Sequence, residues 1–149
     1  MRRLRGWRAR ARDDRGSAAI ETVIGIPAFM LFVGLIIFAG RTAVAHQAVE
    51  QAAYDAARAA SITRTTATAD DAARQAASDT LANQGLHCAT TNITVDTNAL
   101  AVEVGSFGTV TVEVACLVDL SDLAVPGVPG THLVSAEVAS PVDAHRERG

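Results

Sequence analysis

Glu21 is the residue whose position most demands a chemical explanation. It stands immediately before nineteen uncharged residues, TVIGIPAFMLFVGLIIFAG (22–40), which end at Arg41. A carboxylate at the edge of such a run costs energy unless it snorkels to the headgroup level, takes up a proton or meets a cation. The Gly16-Ser17 pair lies just upstream. Were the chain cut after Gly16, Ser17 would carry a free ammonium, with Glu21 as the fifth residue, one helical turn away. In low-dielectric surroundings that pair is costly to misplace, within one subunit or between neighbours, which makes it a register device for assembly. Simple snorkelling of Glu21 at the headgroup level is the other reading.

Other reactive side chains are sparse. Cys88 and Cys116 would close a loop of 29 residues as a disulfide, contributing about 3 to 4 kcal/mol by chain entropy. Two free buried thiols are the alternative. The histidines stand apart at 46, 87, 132 and 145, each read as a solvated or turn residue. His87 beside Cys88 would be a nucleophile pair only with a free thiol, and neighbours on a strand point to opposite faces. There is no CxxC and no histidine cluster, so no metal, cofactor or catalytic set is expected. Asp119-Leu120-Ser121-Asp122 reads as a turn. Outside the apolar run the aromatic residues are Trp7, Tyr54 and Phe107, too few for a nucleic-acid stacking platform.

The element that must position Glu21 is a membrane span. Nineteen helical residues cover roughly 28 Å at ~1.5 Å per residue, close to the ~30 Å hydrocarbon core of a bilayer. Residues 1–15 hold seven arginines and sum to +5, whereas residues 41–149 sum to −7. The positive-inside effect holds the N-terminus in the cytoplasm and sends everything after Arg41 outside, where disulfides persist. A soluble alternative exists. The arginine-rich start, the apolar core and Ala43-Val44-Ala45 imitate a signal peptide cut before His46, releasing an envelope-binding module.

Helical propensity continues past the membrane. Residues 41–61 contain nine alanines and neither Gly nor Pro, so one helix of about 40 residues is predicted. Val44, Ala48, Gln51 or Ala52, and Ala56 with Ala59 or Ala60 form its small-residue stripe, and Pro27 is a site for a bend in its membrane half. A second helix is expected over about 69–83, with Thr68 as cap, Asp70 and Asp71 at the positive dipole end, and Gly85 as the stop.

After Cys88 the period becomes two. Runs at Ile93–Val95, Leu100–Val104, Val110–Val118 and His132–Ala139 predict strands, with Gly105–Gly108 as a hairpin turn. Cys116 stays in phase with Val110, Val112 and Val114, so its bond to Cys88 would staple the second helix's exit onto the sheet core. The fold class is α+β: a long N-terminal transmembrane helix extending into a small domain with a second helix and a three- to four-stranded antiparallel sheet. The divisions are an arginine-rich cytoplasmic leader (1–16), the helix and its extension (17–61), and an extracytoplasmic domain (62–149).

The segment Arg15-Gly16-Ser17-Ala18-Ala19-Ile20-Glu21, running into the apolar helix, resembles the N-terminus of TadE-like minor pseudopilins of the tight-adherence (Flp-type) pilus system. The alanine-rich helix, the valine strand ending at Cys116 and the closing stretch Val134–Arg146 extend the resemblance. The paired cysteines and the arginine-only basic tail look like its actinobacterial members. What it implies is cleavage after Gly16 by a prepilin peptidase, leaving Ser17 as the first residue and Glu21 as the assembly carboxylate. It also implies a non-enzymatic role supporting pilus assembly. The partners would be pilin and other pseudopilin subunits, the inner-membrane secretion machinery and the lipid bilayer. The von Willebrand-type metal signature DxSxS of the TadG relatives is not present in the sequence.

Overall fold

The computed structural model describes residues 10–101, 107–123 and 126–142. Its dominant element is one helix, α1 (Arg10–Ser61), which runs through Pro27 without ending. It starts earlier than the apolar run, so part of the arginine-rich leader is helical. A four-residue turn at 62–65 reverses the chain into α2 (Thr66–Asn83). Three strands follow: β1 (Cys88–Asp96), β2 (Gly108–Asp119) and β3 (Thr131–Val142).

Local chemistry sets the α2 boundaries. The N-cap is Thr65, three residues earlier than predicted; its backbone is extended and its hydroxyl accepts the Thr68 N–H at 3.2 Å. Thr68 sits inside the first turn, returning its own hydroxyl to the Thr65 carbonyl at 3.0 Å. Starting at Thr66 moves Asp70 and Asp71 out of the first turn. Asp70 instead accepts two hydrogen bonds from Arg74 one turn on, which raises the Arg74 pKa first through those bonds and then through its charge. At the other end Gly85 takes φ +67°, its N–H reaching the Ala82 carbonyl while Leu86 N–H reaches Leu81. These two bonds close the Schellman motif, and the left-handed angle is why glycine stands there.

The sheet is antiparallel in the order β1-β2-β3, with both helices on one face. Val110, Val112, Val114, Cys116 and Val118 alternate inward along β2 and meet Ile93 of β1 and Val134 of β3. Above them lie Ala45, Val49, Ala52, Ala53, Ala56, Ala57 and Ala60 of α1, with Ala69, Ala73, Ala77 and Leu81 of α2. Alanine at four-residue spacing lets the helix axes come close, so a thin layer of methyl groups seals the core. Ala48, Ala52, Ala56 and Ala60 of the predicted stripe are buried and Val44 and Gln51 are exposed, while Ala45, Val49, Ala53 and Ala57 extend the inward face to one side. A sheet and a second helix both pack on this half of α1, so its buried arc is wider than one stripe.

The predicted strand over Leu100–Val104 is not seen where described. Asp96 Oδ1 accepts the Asn98 N–H at 3.0 Å and ends β1, and Asn98–Leu100 then forms a single 3-10 turn that drops Leu100 into the core. Residues 102–106, which hold the rest of that run and half of the predicted hairpin turn, lie outside the described residues. Gly108 opens β2, and a Cβ there would come 2.6 Å from the Ala99 Cβ, so the 3-10 turn rests directly on its backbone. β3 extends past the predicted Ala139 through Pro141, which an edge strand tolerates.

Candidate functional site

Between Ile20 and Ile37, no residue of α1 is buried. Eleven large apolar side chains there are exposed, from Leu31 at 42 % to Val23 at 71 %. The continuous helix from Ile20 to Ser61 includes a window of mean hydropathy 2.5 with none of its residues buried. Leaving such a surface in water would cost on the order of 10 kcal/mol. The same helix one turn above Arg41 buries one face in its own domain, with Val49, Ala52, Ala53, Ala56 and Ala57 fully buried. One rod therefore serves two solvents: lipid for its lower half, its own domain for its upper half. This is a single-pass membrane protein.

Gly16 and Ser17 are part of α1, and Glu21 projects, exposed, at the start of the bare segment. Among the described residues nothing from the domain reaches Glu21, which leaves it available to the membrane or to another chain. Cys88 and Cys116 are joined as a disulfide. The bond runs between neighbouring strands, because Cys88 itself opens β1 beside a register shift at residues 88–90. It thus stitches β1 to β2, three residues beyond the Gly85 turn, rather than joining a helix end to the sheet.

The domain grips α1 at the level where the apolar run ends. Arg41 Nη1 lies 2.6 Å from Asp122 Oδ2, a pair 81 residues apart in the chain. Asp122 belongs to a short 3-10 turn, Ser121–Leu123, that follows β2. That turn is started by Asp119, whose carboxylate is held below the ordinary range by hydrogen bonds from the Ser121 hydroxyl and then its backbone N–H. Phe38, within the apolar run, packs against the domain core and sets its ring edge-on to His132, 6.4 Å between centroids. The His132 ring in turn meets His46 at 6.4 Å. Reading each histidine as an isolated solvated residue missed this pairing, and nothing in the local sequence signals it. Higher up, Thr80 donates to Asp55 at 2.9 Å and Ser140 donates to Ser61 at 3.0 Å, pinning α2 and β3 to α1. Among the described residues, no group of three or more His, Cys, Asp or Glu is placed to hold a metal ion.

Residues 16–58 match the family described as TadE-like protein. That segment is similar to TadE-like proteins. The matched stretch begins at Gly16, takes in Glu21 and the whole bare span, and continues through the buried alanines to Arg58. This likeness, together with the bare apolar half of α1, supports a membrane-associated, pseudopilin-type structural role. None of the curated proteins and none of the solved structures matches it. The outer sheet and α2 therefore rest on their own geometry.

Proposed function

We infer that this TadE-like chain is a minor-pseudopilin-type subunit that supports assembly of a tight-adherence pilus at the cell envelope. The observation carrying this reading is the bare apolar half of α1, which begins directly after Gly16-Ser17 and Glu21 and continues unbroken into a folded domain. A prepilin peptidase removes residues 1–16, and the Ser17 ammonium and the Glu21 carboxylate then align the span among pilin and other pseudopilin subunits. The arginine-rich start stays in the cytoplasm and the domain faces outward, in keeping with the charge asymmetry across the span. The inner-membrane secretion machinery handles the assembled subunits. Release as a soluble module by cleavage after Ala45 would cut a continuous helix at a residue 2 % exposed and discard the grips at Phe38 and Arg41.

Mass spectrometry of membrane-extracted protein tests the processing step. The expected mature N-terminus is Ser17; an intact Met1 or a different cut would remove it. Glu21→Gln tests the assembly role separately. Cleavage should persist while pilus yield falls at least severalfold, and undiminished yield would strip this carboxylate of its part.

A further inference from the structure

A cleft of about 640 Å³ opens where the underside of the domain meets α1. Its apolar walls include Ile37 and Val44 of α1 and Leu86 beyond the Gly85 turn; its charged rim is Arg41, Asp119 and Asp122, with Gln84, His87 and Ser121 beside them. Arg41 is the first charged residue after Glu21, so it marks the end of the apolar run. Ile37 lies four residues below it, roughly 6 Å toward the bilayer centre at ~1.5 Å per residue. The headgroup layer on each side of the hydrocarbon is about 5 to 7 Å thick. Val44 lies three residues above Arg41, roughly 4.5 Å outward, so the cleft runs from the lipid-facing surface at Ile37 up into that layer, with the Arg41 rim at its lower edge. Val44 is 63 % exposed and Ile37 47 %, an apolar lining that the protein itself leaves uncovered.

We propose that this cleft seats one phospholipid bearing a primary amine, on the leaflet facing the domain. The proposal rests on the membrane-spanning reading of α1 and not on pilus assembly. Its first acyl methylenes lie against Ile37, and the carbons of its glycerol and headgroup against Val44 and Leu86. Arg41 spends one N–H on Asp122 and has four more to offer a phosphate. Two carboxylates against one guanidinium leave the rim with an excess negative charge, which the lipid ammonium neutralises while donating hydrogen bonds to Asp119 and Asp122. A quaternary ammonium has no N–H to donate, and an anionic headgroup without an amine meets the two carboxylates as like charges. The −7 carried by residues 41–149 repels that second class further.

The test uses the full-length chain in detergent micelles, stripped of lipid and titrated with short-chain phosphatidylethanolamine while backbone amide resonances are followed. Saturable shifts confined to residues 40–48, 84–87 and 118–122 are expected. Binding should weaken about tenfold for phosphatidylcholine or phosphatidylglycerol of the same chain length. Glycerophosphoethanolamine and inorganic phosphate, which lack chains, should not saturate the site. Asp119→Asn with Asp122→Asn should weaken phosphatidylethanolamine binding by a similar factor. Val44→Phe, which fills the cleft from an exposed position, should abolish binding while the amide spectrum of the sheet is retained. Equal binding of all three lipids, unsaturable shifts, or binding undiminished in Val44→Phe would overturn the proposal. Because cleavage at Ser17 and pilus yield are measured separately, a negative result here leaves the assembly reading standing, and the reverse also holds.

Discussion

Removing the Cys88–Cys116 bond should loosen one strand pair specifically. The two residues are 28 apart in sequence, and constraining such a loop in the unfolded chain is worth about 3 to 4 kcal/mol. A domain of some ninety residues is stable by about 5 to 13 kcal/mol, so a quarter or more of that margin is at stake. The loop encloses β1 and the first part of β2, and β1 is an edge strand whose inward side chains, apart from Ile93, are only partly covered. Cys88→Ala with Cys116→Val keeps an apolar side chain of similar volume at the fully buried position 116 and so isolates the cross-link from the packing. Native-state hydrogen exchange of the full-length chain in detergent, followed against urea, reads the change strand by strand. The β1 amides should lose about 3 kcal/mol of protection, some hundredfold or more in opening equilibrium. Reduction of the unaltered chain should reproduce that loss. A loss below about 1 kcal/mol, with β1 as protected as before, would refute the loop-entropy reasoning.

Other consequences are more local. Thr65→Ala should cost about 1 kcal/mol by removing the α2 cap, and Thr68→Ala clearly less; thermal melts of the two variants compare them. Gly108→Ala should destabilise by about 1 to 3 kcal/mol, since the new methyl must displace Ala99, and urea midpoints would register it. The Asp119 carboxyl, its folded pKa depressed by Ser121, stabilises the turn above the unfolded value of about 4 and loses that contribution as pH falls through the folded value. The Ser121 amide shift should therefore titrate below pH ~4 in the parent chain and stay flat in Asp119→Asn.

Much of the architecture is written in one-dimensional patterns. Nineteen uncharged residues bounded by Glu21 and Arg41 are long and apolar enough to cross lipid as a helix, which satisfies both the side chains and the backbone there. Alternation from Val110 to Val118 likewise decides that Cys116 points inward, since a strand has only two faces. Gly85 announces the end of α2 because few other residues accept its backbone angle. Those signals are local, and local signals survive without a fold.

What tertiary structure alone decided are matters of competition and distance. Thr65 and Thr68 are equally good caps in isolation; which one serves depends on where the chain must turn for Ala69, Ala73 and Ala77 to reach α1. Leu100 fits a strand by period, yet the Asp96 side chain turns the backbone and sends it into the core as a plug. Arg41 and Asp122, or Phe38, His46 and His132, share no spacing that a sequence pattern could reveal. They meet because the sheet packs low on α1, against the last residues of the span. Burial there is a property of the whole packed core, and no window of sequence contains it.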